Sequence, residues 1–220
     1  SAGSNVHLIY LYTKRGRAME LNVQFDDALT NYAELEALGH EGSKPDLELA
    51  ALIPQATIHS TFTDKFDTDK GEALSVRTLA LARDLGDHRA EAKALWNLLL
   101  VETFGQRDVE KGLSHGEASL AIAREHNLRE EEAFVLNDMV KAYLMTGRPQ
   151  QALAVAAEAE TLWRELGNLP MLTDNLQMLA ICQYFLGRFN EGLVAAEESL
   201  RVSRSISNVW GQASILGIIG

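Results

Sequence analysis

Apolar residues along this chain return every third or fourth position in long stretches, and short breaks rich in glycine, aspartate and asparagine separate the stretches. "EAKALWNLLLVETFG", "EEAFVLNDMVKAYLMTG" and "PMLTDNLQMLAICQYFLG" are three of them. In the second, Phe134, Met139, Ala142, Tyr143 and Leu144 gather around one side, with Asp138 and Lys141 interspersed. That spacing predicts helices with one apolar side.

A second set of stretches alternates with the first. It comprises "EALSVRTLALARDLGD" from Glu72, "KGLSHGEASLAIAREHN" from Lys111, "QALAVAAEAETLWRELGN" from Gln151 and "EGLVAAEESLRVSRSISN" from Glu191. Their leading leucines, Leu74, Leu113, Leu153 and Leu193, are spaced 39, 40 and 40 apart. Their closing residues, Asp87, Asn127, Asn168 and Asn208, are spaced 40, 41 and 40. Two independent landmarks keep one period, so the chain is an internal repeat. A period of ~40 holds two helices of ~16 residues and two short connections. Gly147 and Gly187 are placed to stop the first helix of their units. Asp87, Asn127, Asn168 and Asn208 suit N-cap or turn duty before the next.

The N-terminal third keeps the pattern less cleanly. "FDDALTNYAELEAL", from Phe25, reads as the second helix of a unit whose first helix covers Val6 to Leu21. The step from Leu29 to Leu74 is 45, so a longer loop at Gly42-Ser43-Lys44-Pro45 or at Asp64 to Asp69 absorbs the excess. The units run roughly over 5–40, 45–87, 88–127, 128–168 and 169–208, with a truncated one at 209–220.

In "LNDMVKAYLMTGRPQQALAVAAEA", Tyr143, Gly147, Ala152 and Ala159 have the Y-x3-G-x4-A-x6-A spacing of the tetratricopeptide repeat, which this segment resembles. The next unit is similar through Leu179, Gly187, Gly192 and Ser199, and Trp96 occupies the early tryptophan place. The period exceeds the usual one of about 34 and no proline closes the second helices. In this the chain resembles the tetratricopeptide arrays that follow ATPase or cyclase domains in large bacterial regulators, the MalT-like group among them. The spacing gives about eleven helices, and the resemblance implies that they form an all-α, right-handed α-solenoid of antiparallel helical hairpins and a cytoplasmic protein-interaction scaffold without catalysis. A sensor array that binds a small effector and relays its occupancy to an attached NTPase or output domain is the alternative it implies.

One short motif pulls the other way. Gly112-Leu113-Ser114-His115-Gly116 matches G-x-S-x-G, the nucleophile elbow of serine hydrolases. That elbow needs a strand entering a strained turn, whereas "LLLVETFGQRDVEK" before it reads as helix and turn. In the repeat alignment Gly112 falls with Ala73, Ala152 and Gly192, and Gly116 with Arg77, Ala156 and Ala196. Ser119 falls with Ala80, Ala159 and Ser199, and residues 112, 116 and 119 share one helical stripe. Small residues there let a paired helix approach closely, so the repeat accounts for the motif.

Composition narrows the partners. With 20 Lys and Arg against 31 Asp and Glu, the net charge is −11, which repels nucleic acid and anionic membranes. The longest apolar stretch, Ala94 to Val101, is interrupted by Asn97 and far short of the ~18 residues of a membrane span. The single cysteine, Cys182, forms no intrachain disulfide and reads as a small buried side chain. Ser1-Ala2-Gly3-Ser4 is not a signal peptide and reads as a cloning scar. The apolar ending "GQASILGIIG" reads as the cut first helix of a further unit. Its Trp210, Ile215, Leu216, Ile218 and Ile219 are then expected to need cover, by self-association or by fraying.

Other chemistry is sparse. His7, His40, His59, His88, His115 and His126 form no H-E-x-x-H pair and have no cysteine or carboxylate at zinc-site spacing, so they read as surface or loop residues. Lys14-Arg15-Gly16-Arg17 is a basic cluster without a glycine-rich phosphate loop, hence a solvated helix face. Glu130-Glu131-Glu132 suits the positive end of a helix dipole. Trp163 and Trp210 read as helix-packing residues. No cofactor or metal is expected.

The resemblance also implies a concave face lined by the first helix of each unit. Its groove places fall on Asn97 and Val101, on Asn137 and Lys141, and on Asp174, Gln177 and Ile181. Asn and Gln there suit an extended backbone, and an acidic array with one lysine in this set suits a neutral or basic peptide or protein partner, other domains of the same polypeptide included.

If the repeat explains the motif, Ser114→Ala leaves folding intact and the protein turns over no ester above background. Labelling of Ser114 by a fluorophosphonate would show the elbow to be real. Gly116→Leu, by contrast, costs about 1–3 kcal/mol through overpacking, read from a thermal or denaturant melt.

Overall fold

The computed structural model describes residues 2–219, with side chains from 5 to 218. Ser1, Gly220 and the side chains of Ala2, Gly3, Ser4 and Ile219 lie outside the described residues, and so does the expectation of a cloning scar at 1–4. The described residues hold eleven helices and no strand. They are α1 (Ala2–Leu21), α2 (Phe25–Glu41), α3 (Pro45–Ser60), α4 (Thr68–Leu85), α5 (His88–Phe104) and α6 (Val109–Glu125). Then come α7 (Arg129–Met145), α8 (Pro149–Leu166), α9 (Leu169–Phe185), α10 (Phe189–Ser205) and α11 (Val209–Ile219). None is long and apolar enough to cross a membrane.

One device turns the chain at nine of the ten connections among the described residues. Val23, Ser43, Gly86, Gln106, Asn127, Gly147, Gly167, Gly187 and Ser207 all have positive φ, between 48° and 72°. The N–H of the residue after each reaches back to the carbonyl five residues earlier: Arg148 to Tyr143 at 2.8 Å, Leu128 to Ala123 at 2.8 Å, Asn208 to Ser203 at 2.9 Å. This is the Schellman closure of a helix end, which satisfies a carbonyl that the helix itself leaves open. The tenth connection, Thr61–Asp67, is the longer one, so the excess in the N-terminal third is absorbed there and Gly42–Lys44 is a tight turn.

The closing polar residues divide the two duties between them. Asp87, Asn168 and Asn208 cap the next helix, accepting from the N–H of Ala90 at 3.0 Å, Met171 at 3.2 Å and Gly211 at 3.0 Å. Asn127 instead supplies the left-handed turn, with φ 55°, and stands one residue before the N-cap Leu128.

Two compact units divide the chain, Ser1–Asp108 with α1 to α5 and Val109–Gly220 with α6 to α11. Within the first, successive helices pack in sequence while α1 meets α3 and α3 meets α5, giving one layer of odd helices and one of even. Within the second, α7, α9 and α11 form one layer and α6, α8 and α10 the other.

Small residues line the buried side of the even helices. In α4 they are Gly71, Ser75, Thr78 and Ala82; in α6, Gly112, Gly116, Ser119 and Ala123; in α10, Gly192, Ala196, Ser199 and Ser203. The alignment of α4 given above is therefore two residues out of register. Gly71, not Ala73, corresponds to Gly112, and Arg77 faces outward to pair with Glu36 at 2.6 Å and with Glu48. The leucine landmark misled because it is Gly71 that meets α3, where a Cβ would lie 2.9 Å from Ser60 Oγ. Ser114 stands on the exposed side of α6, its hydroxyl donating to Glu110 O at 3.1 Å, with no strand and no elbow.

Trp163 is fully buried and stacks edge-on to Phe134 at 5.0 Å. Cys182 is fully buried, and burial pushes its thiol up to about 11. Trp210 is 67% exposed, so it is not a packing residue among the described ones, whereas Ile215 is buried against Ala180 and Ala196.

At Gly16 in α1 a Cβ would fall 2.2 Å from Cζ of the buried Tyr32 in α2. Gly16→Ala must expel or rotate that ring and is expected to cost about 1–3 kcal/mol in a denaturant melt. Gly217, where a Cβ meets nothing within 4 Å, is the control that tolerates alanine.

Candidate interaction surface

The odd helices show one face away from the even layer, and the second unit displays it most fully. On α9, Met171, Asp174, Met178 and Ile181 form a half-buried stripe at i, i+3, i+7 and i+10, between buried flanks. Forty residues earlier on α7, Glu131, Phe134, Asp138 and Lys141 form the same stripe. Periodicity of the sequence contained this face in full, but the expectation above took Lys141, Asp174 and Ile181 from it and missed Phe134, Asp138, Met171 and Met178.

The remaining expected groove residues lie beneath the surface. Asn97, Val101, Asn137 and Gln177 are at most 3% exposed. Thr57, Asn97, Asn137 and Gln177 recur at a strict spacing of 40, and each binds a neighbouring odd helix. Asn97 Nδ2 donates to Thr57 Oγ1 at 3.2 Å, tying α5 to α3. Asn137 Nδ2 donates to Asp174 Oδ2 at 2.9 Å and Asn137 Oδ1 accepts from Asn175 Nδ2 at 3.1 Å, tying α7 to α9. Ser214 Oγ donates to Gln177 Oε1 at 2.6 Å, tying α11 to α9. The amides expected to meet a partner's backbone thus hold helix to helix. Their positions sit one step off the open stripe, toward the neighbouring helix, and polar type alone does not separate the two. Val101, in the place of Lys141 and Ile181, is buried on α5.

Burial acts on two ionisable groups of the face. It raises the Asp174 carboxyl above its ordinary value, and the hydrogen bond from Asn137 only partly opposes this. It lowers the Lys141 ammonium, against the attraction of Asp138 on the same helix.

The first unit has a different feature. A cleft of about 380 Å³ opens between α1, α2, α3 and α5, lined by Thr13, Arg17, Tyr32, Ile53, Pro54 and Lys93 among others. Pro54 lies inside α3 and has no N–H to give Ala50, another lining residue, so that carbonyl loses its helical donor. Glu20 accepts from Tyr32 Oη at 2.7 Å and pairs with Arg17 at 2.7 Å. Arg15, of the same basic cluster, pairs with Glu34 at 2.8 Å, so both arginines are held by carboxylates of the protein.

No protein-family model matches the sequence, and no curated protein matches it. Solved structures do resemble it. The apo form of RapI is 14% identical with a TM-score of 0.76, over 94% of this chain and 74% of that one. The aspartyl phosphate phosphatase F from Bacillus subtilis is 11% identical with a TM-score of 0.72, over 96% of this chain and 55% of that one. A signal-transduction ATPase with numerous domains and a tetratricopeptide repeat sensor, from Pyrococcus horikoshii, is 14% identical with a TM-score of 0.70, over 96% and 33%. The chain thus spans about half of the phosphatase and a third of the ATPase. The fold is the tetratricopeptide-like helical repeat that Tyr143, Gly147, Ala152 and Ala159 resemble in sequence.

An ionised Asp174 in this setting costs folding free energy, because its folded-state value stands above that of the unfolded chain. The cost is present at neutral pH and disappears as pH falls through the raised value toward the ordinary one near 3.9. Asp174→Asn keeps an acceptor for Asn137 and is expected to raise the melting temperature at pH 7. The gain should shrink steadily on acidification, and a gain independent of pH would mean that ionisation is not its source.

Proposed function

We propose that the chain is a non-catalytic interaction module of a larger cytoplasmic regulator, and that a peptide or protein partner lies along the face of α7 and α9. The observation that carries this is the open stripe on each of these helices. Met171, Met178 and Ile181 give it apolar area, Asp174 and Lys141 give it charge, and the buried amide ladder underneath holds both helices in register. Such a mixture of apolar body and few polar groups is what protein recognition uses. The resemblance to tetratricopeptide arrays implies that this is the concave face. The buried amides Asn97, Asn137 and Gln177 and the buried Val101 serve that face as its frame.

A second reading rests on the cleft of the first unit. Its volume is that of a small-molecule site, and a tetratricopeptide repeat sensor stands in one of the similar structures. In this reading the array senses a small effector and passes its occupancy to an attached NTPase or output domain.

A photo-crosslinking residue placed at Ile181, and separately at Ala154 on the exposed side of α8, tests the first reading in the full-length protein in its host. Adducts with protein from residue 181 and none from 154 are expected. Equal yields, or none from 181, overturn it. Native mass spectrometry of the same preparation tests the second: a bound small molecule that Ile53→Trp abolishes would move the function to the cleft.

A further inference from the structure

Among the described residues the carboxylate of Asp174 has no counter-ion. It lies on α9 between α7 and α11, largely buried with an edge still open to solvent. Its Oδ2 accepts one neutral hydrogen bond, from Asn137 Nδ2 at 2.9 Å. Among the described residues Oδ1 accepts none, and no lysine, arginine or histidine pairs with Asp174. The chain places 20 lysines and arginines elsewhere, and many of the other carboxylates near one are paired, as Arg164 pairs with Glu160 and Glu198 and Arg124 with Glu132 and Glu158. Buried charges in proteins are ordinarily paired or bound to a ligand, because an unpaired one costs several kcal/mol. An anion kept unpaired on an open face is a half-made ion pair.

We infer that Asp174 anchors a lysine or arginine side chain of an extended peptide laid across α7 and α9, which deepens the partner reading above and rests on it. The surroundings select that chemistry. Asn175 Nδ2 donates to Asn137 Oδ1 at 3.1 Å, and Asn137 in turn donates to Asp174, so the amides fix the carboxylate with Oδ1 left for the visitor. Met171 and Met178, one turn to either side on the same stripe, offer apolar area to a long aliphatic stem, as lysine and arginine require when their heads are drawn inward. A bare metal ion has no use for that area. The net charge of −11 favours approach of a basic segment before contact. Pairing offsets the desolvation that otherwise holds the Asp174 carboxyl above its ordinary range.

A phage-displayed library of random peptides, panned on the purified chain, tests this. The enriched peptides are expected to share a lysine or arginine, and replacing it by norleucine should weaken binding to the wild-type protein by about tenfold or more, the scale of a lost hydrogen bond to a charged group. Asp174→Asn should weaken the parent peptide equally while melting at or above the wild-type temperature, and Glu197→Gln, on the exposed side of α10, should bind as wild type. Peptides that Ile181→Asp rejects but Asp174→Asn binds unchanged would overturn the anchor and leave the face as the partner site. Peptides indifferent to both substitutions, or no enrichment at all, would overturn both.

Discussion

The structure depends on how each helix is stopped. A single left-handed residue, followed by an amide that reaches five residues back, ends the helix ahead of nine connections among the described residues. Because these residues recur about every 20 positions from Gly86 onward, the helices between them have nearly equal length. Within each unit, helices of equal length joined by two to four residues have little choice but to lie antiparallel to their neighbours. Glycine fills four of the nine places; Val23, a β-branched residue, fills one, where the conformation is least comfortable.

Length alone stacks cylinders; two further patterns decide how they touch. Small residues on the buried side of α4, α6, α8 and α10 bring backbones close, as where a Cβ on Gly192 would stand 3.2 Å from Ala180 O. Buried amides and hydroxyls at Thr57, Asn97, Asn137 and Gln177 then join odd helix to odd helix. Polar links of this kind set register more sharply than apolar contact does, since a slipped helix would leave them unpaired. With register fixed from below, the stripe of α7 and α9 can hold an unpaired carboxylate in place.

Much of this was legible in the sequence. Helix type, the count of about eleven, the stops at Gly147 and Gly187 and the dismissal of the Ser114 motif all follow from spacing, because the period of 40 repeats the same local physics several times. What failed was local. The leucine landmark put α4 two residues out of register, since Leu74 and Leu113 need not play the same part once a connection changes length. Residue type at 97, 137 and 177 points to a partner, whereas a shift of one residue around a helix turns an open place into a link. The unpaired state of Asp174 has no sequence signal, because it depends on which basic side chains the fold carries elsewhere.

The odd connection, Thr61–Asp67, bears on how such a chain changes over time. From Gly86 to Ser207 the left-handed residues keep an interval of 20 or 21. A duplication or deletion of one 40-residue period within α6 to α10 therefore keeps the left-handed stops and the small residues in phase. Across residues 61–67 the interval from Ser43 to Gly86 is 43, so the spacing of the stops is broken there although Thr57 and Asn97 keep 40. The hairpins of α6 to α10 can therefore be gained or lost in whole periods, whereas the longer turn at 61–67 has no second copy among the described residues.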